Sequence, residues 1–467
     1  MSRILLRSSL AALGVLVLAL AVLVAPARGA DDEAAQKAKV AELIKKLSDA
    51  EAEIRRWAAM SLADMGPAAK EAVPALIKAL SDPDVQVRVD TSFALGWIGP
   101  EAKEAVPVLI KALGDPEVFV RKGAAHALGQ IGTEARQAIP DLERLAEQDP
   151  DESVRKSAHD ALGNMAREAA RKAKVEERIK DLGDRDAKIR QQAAKSLLYM
   201  GPKVLDAVPA LLKALGDPDA EVRGWAALAL GRIGGAATEI IPVLIKALGD
   251  PDAHVRTGAV VALGGVGPKA LDAVPVLIKA LGDPDPDVRP QAAFALGRIG
   301  PEAKDAVPGL IKALGDPDAR MRGDAALGLG GIGREAKDAV PSLIKALTDP
   351  DTQVRGRTAT ALGQIGPEAK DAVPGLIKLL GDPDVGMRGS AAGALAGVGP
   401  QAKDAVPALI KTLEDPDGNV RGNAAFALAR IGPEAKEAIP ALERLVENDP
   451  EESVRQMARV ALENIRK

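Results

Sequence analysis

An Asp-Pro-Asp-like turn returns about every 33 residues along this chain, and that recurrence constrains the fold more than any other feature. The turn begins at Asp82, Asp115, Asp149, Asp217, Asp250, Asp283, Asp316, Asp349, Asp382, Asp415 and Asp449, with degenerate copies at Asp49 and Asp184. A length of 467 residues would otherwise suggest about three ordinary domains. A fixed period in this range means one small supersecondary unit repeated many times.

The segment from Gly300 to Ile332, GPEAKDAVPGLIKALGDPDARMRGDAALGLGGI, reads as two helices. Val307, Leu310, Ile311 and Leu314 share one face of the first, which is expected to end at Gly315. Asp316 is expected to N-cap the second helix, with Pro317 in its first turn and Asp318 at the positive end of its dipole. Met321, Ala325, Leu329 and Ile332 point inward from the second helix, and Gly333 ends it. Pro308 lies inside the first helix or at its true start, and a kink is expected there. The same expectation holds at Pro74, Pro107, Pro209, Pro242, Pro275, Pro341, Pro374, Pro407 and Pro440. One such hairpin cannot bury its own apolar stripe, but stacked neighbours can. The fold class is therefore all-α: an α-solenoid, a superhelical stack of about thirteen two-helix repeats.

The pattern V-P-x-L-I-x-x-L, D-P-D, V-R-x-x-A-A-x-A-L-G-x-I-G resembles the short HEAT repeats of the phycobilisome-lyase-like kind over residues 38–467. The Thr-Pro-Leu-His signature of ankyrin repeats is absent. The resemblance implies that the turn Asp and the helix Arg form a structural ladder between repeats. The arginines concerned run from Arg55, Arg88, Arg121 and Arg155 through Arg190, Arg223, Arg256, Arg289, Arg322, Arg355, Arg388 and Arg421 to Arg455. It also implies that second helices line a concave side where partners lie.

The ends carry further organisation. Arg3 and Arg7, the apolar run from Leu10 to Val24, and the small residues Ala27 and Gly29 read as a signal peptide over 1–29. The expected product is exported, periplasmic or extracellular; an uncleaved anchor is the alternative. No other segment is expected to span a membrane. The start DDEAAQKAKVAELIKKLSD at 31–49 resembles AREAARKAKVEERIKDLGD at 166–184, and the end IPDLERLAEQDPDESVR at 139–155 resembles IPALERLVENDPEESVR at 439–455. Two capped arrays follow: four repeats in 30–165 and nine in 166–467. Met165 to Leu182 holds no Gly or Pro and is expected to continue the last helix of the first array.

With the turn Asp as position 1, positions 6, 7, 10, 13, 14 and 17 scarcely vary between copies, while 5, 9, 12 and 16 vary widely. Those four share one face of the second helix. Every Trp, Tyr and Phe lies on this stripe. Trp57 and Trp225 stand at position 9, Trp97 and Tyr199 at 16, Phe93, Phe294, Phe426 and His126 at 12, and Phe119 and His254 at 5. Exposed aromatics and arginines are the usual anchors of binding surfaces; the bland alternative is partial core between repeats. Trp57, Phe93, Trp97, Phe119 and His126 are expected to form one patch. Tyr199, Trp225 and Arg232 form a second candidate. Arg298 with Phe294 and Arg430 with Phe426 form a third, suited to carboxylates or an extended acidic chain. Position 16 of the second array reads Arg232, Gly265, Arg298, Gly331, Gln364, Gly397, Arg430, a 66-residue alternation that points to duplication of repeat pairs.

The patterns that could carry catalysis fail on context. Gly328 to Gly333 fits G-x-G-x-x-G but follows no strand. Asp283, Asp285 and Asp287 begin like a calcium loop, yet Val288 and Phe294 occupy the positions that need Gly and Glu. Cysteine is absent, and His126, His159 and His254 are the only histidines, so neither a zinc site nor any other cofactor is expected. The paired His-Glu motifs of the HEAT-fold deoxyhypusine hydroxylases do not occur. A formal charge of −4 argues against general nucleic-acid binding. The expected function is a non-catalytic scaffold for a protein or peptide. The alternatives are a bilin-lyase-like enzyme or cofactor chaperone, and a glycan-binding module using exposed Trp and Tyr.

Overall fold

A computed structural model describes residues 30–201, 204–233 and 238–467; the expected signal peptide lies outside them. Thirteen second helices follow one another: α1 (Ala52–Met65), α2 (Val85–Ile98), α3 (Val118–Ile131), α4 (Glu152–Asp181), α5 (Ala187–Met200), α6 (Ala220–Ile233), α7 (Ala253–Val266), α8 (Val288–Ile299), α9 (Ala319–Ile332), α10 (Thr352–Ile365), α11 (Val385–Val398), α12 (Gly418–Ile431) and α13 (Glu452–Ile465). The described residues form helices, 3₁₀ segments and turns, with no strand. The fold is an α-solenoid of helical hairpins. It forms two compact units that part between Lys174 and Val175, inside α4. The Gly- and Pro-free stretch does continue the helix before it, since α4 runs unbroken for 30 residues.

Each first helix is short. In the Gly300–Ile332 repeat a 3₁₀ segment, Pro301–Ala306, leads into Val307–Ala313. Pro308 occupies the first turn of that helix, where its missing N–H costs nothing. The expected kink at proline is therefore not there. The backbone bends at Ala303, with φ −85° and ψ 20°. The expected cap also moves. Asp318, not Asp316, caps α9 by accepting the Arg320 N–H. Gly315 is not among the residues of positive φ, which explains why Ser81, Thr348 and Glu414 hold the same place in other repeats. The glycine that the backbone does require is Gly333, with φ 68° and ψ −136° after α9, a region essentially closed to other residues.

The first Asp of most turns is released from capping for another task. Arg322 donates Nε and Nη2 to the two carboxylate oxygens of Asp349, at 2.7 and 2.8 Å. Its Nη1 donates to the carbonyl of Asp316, in its own turn, at 3.0 Å. Asp349 also accepts the Asp351 N–H at 2.9 Å. One guanidinium thus fixes its own turn and the next. The same fork joins Arg55 to Asp82, Arg88 to Asp115 and Arg121 to Asp149 in unit 1. In unit 2 it joins Arg190 to Asp217, Arg223 to Asp250, Arg256 to Asp283, Arg388 to Asp415 and Arg421 to Asp449. Two expected rungs are missing. Pro286 and a late start of α8 leave Arg289 bonded only to its own turn, with Nε buried and unpaired. Arg355 turns its Nη2 to Thr352 instead. Arg155 and Arg455 keep the bond to their own turns.

Beneath the ladder lies an aliphatic core with the repeat's period. Leu62, Leu95 and Leu128 in unit 1, and Leu197, Leu230, Leu263, Leu296, Leu329, Leu362, Leu395 and Leu428 in unit 2, are fully buried at one position of the second helix. Each such burial contributes about 1.5–3 kcal/mol. Met321, Ala325 and Ile332 are buried with Leu329, as the spacing predicts.

Neighbouring second helices approach to backbone contact through Gly and Ala. A Cβ on Gly265 would lie 2.8 Å from the Gly231 carbonyl oxygen. One on Gly331 or Gly397 would lie closer still to the carbonyl of Gly297 or Gly363. The Gly half of the 66-residue alternation is thus steric: α6–α7, α8–α9 and α10–α11 meet with no room for a methyl group. Gly393 differs, since a Cβ there meets nothing within 4 Å.

Two measurements follow. Urea titrations followed by circular dichroism should find Gly331→Ala destabilising by about 1–3 kcal/mol, because a packed contact is forced apart, and Gly393→Ala stabilising by about 0.5–1 kcal/mol. Asp449→Ala should cost about 2–3 kcal/mol at pH 7, because it strands the buried Arg421 guanidinium. The Arg421 hydrogen bond, opposed by burial and aided by the Glu451 N–H, holds the Asp449 carboxyl below the usual range. A depressed carboxyl contributes stability above its unfolded value near 3.9 and loses it as pH falls through the folded value. The wild-type and Asp449→Ala curves should therefore converge in strong acid; a gap that stays constant from pH 7 to pH 2 would contradict this.

Candidate functional site

The core positions of the second helix are consumed by packing, and positions 7 and 1 by the ladder. What remains for a partner is the stripe at positions 5, 9, 12 and 16. On α1 and α2 of unit 1, Trp57 is 51% and Trp97 64% exposed, and Phe119 on α3 is 63% exposed. Met60, three residues beyond Trp57, is exposed as well. It carries no aromatic ring, and its position 12 is the signal that marks it in the sequence.

The five residues expected to make one patch do not form a single ring cluster. Phe93 and His126 are half-buried and meet across α2 and α3, ring centroids 5.9 Å apart. Burial, with the nearby Lys122 charge, pushes the His126 pKa down, so the imidazole stays neutral near pH 7. Trp57 has a different neighbour: the Lys46 ammonium stands 4.7 Å from its ring centroid, a cation–π distance. Trp97 and Phe119 project with no ring contact among the described residues. Four carboxylates share this face, Glu53, Asp64, Asp90 and Asp160, and Arg56 bridges two of them, Glu53 and Asp90.

Unit 2 places its candidates in two groups. Trp225 is half-buried and packs on the unit's core. Its Nε1 donates to Glu221 at 3.1 Å, the His254 ring meets it edge-on at 5.4 Å, and the Lys195 ammonium stands 5.1 Å from its centroid. Tyr199 is 66% exposed on the preceding helix, and Arg232 is exposed at the end of α6. Sequence reading missed Lys195 and Glu221 as Trp225's partners, since helical charges carry no mark of what they cover. Further along, Phe294 is exposed, Phe426 is half-buried against the core, and Arg298 and Arg430 are exposed. The partial-core reading thus holds for Phe426 and Trp225.

Among the described residues no group of three His, Cys, Asp or Glu side chains is placed to hold a metal ion. One segment, Ala253–Ala280, is long and apolar enough to suggest a membrane span. It is α7, a 3₁₀ segment and a first helix in series, broken at Gly267 and Ala270. Half of its most apolar window is buried within the stack.

Comparison with known proteins agrees with this geometry. The HEAT-repeat family model matches residues 40–103, 73–163, 175–240, 241–318, 274–347, 307–396 and 373–463. No curated protein matches the chain. Among solved structures, the chain is similar to an engineered protein at 27% identity, covering 92% of this chain and 99% of that one with a TM-score of 0.42. It is similar to importin beta at 18% identity, covering 94% and 70% with a TM-score of 0.49. It is also similar to the complex of CpcE and CpcF of phycocyanin lyase from Nostoc sp. PCC7120, at 25% identity over 55% of this chain and 94% of that one, TM-score 0.36. The matched repeats, the stacked hairpins and the Asp–Arg ladder give one answer: this chain belongs to the HEAT-repeat family.

Proposed function

We propose that this protein is a non-catalytic scaffold that binds a protein or peptide along the second-helix face of unit 1. The observation that carries the reading is the exposure of Trp57, Trp97 and Phe119 above a core that contains no aromatic ring. Unit 1 does not need these rings for packing. Large aromatics left in water on a repeated frame are an expense of solubility that a partner would recover. The four-repeat array, 30–165, is proposed as the carrier of this site, with the nine-repeat array, 166–467, as a second stack. Tyr199 and Trp225 give the second array a weaker patch of the same kind.

The reading also places the protein outside the cytoplasm, on the strength of the basic, apolar and small-residue succession in 1–29. Amino-terminal sequencing of the native protein from an envelope or secreted fraction should begin near Ala30; intact Met1 in a cytosolic fraction would count against export.

The binding site has its own test. Crosslinking and purification from native material should recover a partner with the wild-type chain, and Trp57→Ala with Trp97→Ala should reduce recovery by about tenfold, the scale of one lost hot spot. Circular dichroism should show unchanged helix content. Undiminished recovery by the double variant would overturn the site.

A further inference from the structure

Unit 2 carries a row of arginines that its own fold does not use. Arg232, Arg298 and Arg430 end α6, α8 and α12 at the same position of their repeats, and all three are exposed. None is in an ion pair among the described residues; Arg298 reaches only the Gly264 carbonyl, with Nε at 3.4 Å. Gln364 holds the same position on α10. A cation at a helix C-terminus complements the dipole, but that preference applies to every helix and would not alternate. The alternation has a steric cause on one side only. Gly265, Gly331 and Gly397 must lack a side chain because the preceding helix's backbone fills that space. The intervening positions are free, and three of the four hold Arg.

The other charges on this face leave the row unopposed. Its carboxylates stand at positions 5 and 9, away from the row: Asp287 pairs with Arg320 at 2.7 Å, Asp324 pairs with Arg357, and Glu221, at the start of α6, accepts from Trp225. At position 16 of unit 2 the charged residues are these three arginines. Guanidinium groups present a planar fork suited to carboxylates. Phe294 and Phe426 lie one turn before Arg298 and Arg430, so an apolar contact adjoins each fork.

Spacing narrows the partner. Packed helices lie about 8–10 Å apart, so sites two repeats apart are separated by about 16–20 Å. An extended peptide covers that distance in about five or six residues at roughly 3.3 Å each. A nucleic-acid strand carries a charge about every 3.4 Å, far denser than this row. We infer that the second-helix face of unit 2 binds an extended acidic peptide segment, reading carboxylates spaced five or six residues apart with Arg232, Arg298 and Arg430, and with Gln364 as a neutral donor between them. This site stands on the arginine row and does not depend on the aromatic patch of unit 1.

Fluorescence anisotropy on the full chain tests it, with a labelled 19-residue peptide bearing Glu at every sixth position in a Ser/Thr background. A peptide of equal charge with its four Glu clustered and a 19-nucleotide oligo-dT serve as comparisons. The spaced peptide should bind more tightly than either. Arg232→Gln, Arg298→Gln and Arg430→Gln combined should weaken it by about tenfold, as expected of three exposed charge pairs, while Arg334→Gln, off the row and paired with Glu368, should not. Trp57→Ala with Trp97→Ala should leave this binding intact whether or not the unit 1 reading holds. The proposal is overturned by equal affinity for spaced and clustered peptides, by preference for oligo-dT, by an unaffected triple variant, or by loss of binding in the tryptophan variant.

Discussion

Arg–Asp forks between neighbouring repeats hold each unit in register. The fork from Arg322 spans its own turn carbonyl and the next repeat's carboxylate, and the same geometry recurs in both units. Apolar packing alone is non-directional, and a stack of near-identical leucine layers could slide. The bidentate Arg–Asp fork has a fixed orientation, and its partly buried setting makes an unpaired partner costly. Every turn Asp held in such a fork is therefore committed to scaffold. The repeated acidic and basic residues, which look like a site in the sequence, are spent before any ligand arrives.

Close approach of the second helices is the other half of the frame. Gly and Ala at the contact bring backbones together, and the alternation of tight Gly contacts pairs α6 with α7, α8 with α9, and α10 with α11. The frame thereby decides which surface positions carry information. In unit 2 position 16 holds glycine where the preceding helix's backbone fills the side-chain space, as at Gly265, Gly331 and Gly397, and in the intervening repeats the side chain is free to vary. The variable stripe is what remains after packing and ladder have taken their residues, and its chemistry differs between the units. Unit 1 concentrates four Trp and Phe rings and four carboxylates on four repeats, and unit 2 spreads four Trp, Tyr and Phe rings over nine repeats beside its arginines.

The stripe also shows why function is harder to read than fold here. Trp225 and Trp57 occupy the same repeat position, yet the first packs on the core and the second is half exposed. Each has a lysine over its ring, drawn from different places: Lys46 precedes α1, whereas Lys195 lies on the helix before α6. Phe93 and His126 meet, while Trp97 and Phe119 stand apart. Such pairings depend on rotamers and on the offset between neighbouring helices.

The sequence by itself determined the all-α class, thirteen second helices, the leucine core and most of the ladder, because each depends on a local period repeated many times. It also marked the exposed stripe, since positions freed from packing vary between copies. Tertiary structure decided which Asp caps and which pairs with Arg, because both carboxylates lie within reach of one turn and only the neighbouring repeat's guanidinium separates their tasks. It moved the backbone bend from Pro308 to Ala303, since a proline in a first helical turn replaces an N–H that had no partner. It removed two rungs, at Arg289 and Arg355, and it gave the alternating glycines their reason. A residue's period tells where it faces, but only the packed neighbour tells whether that space is occupied.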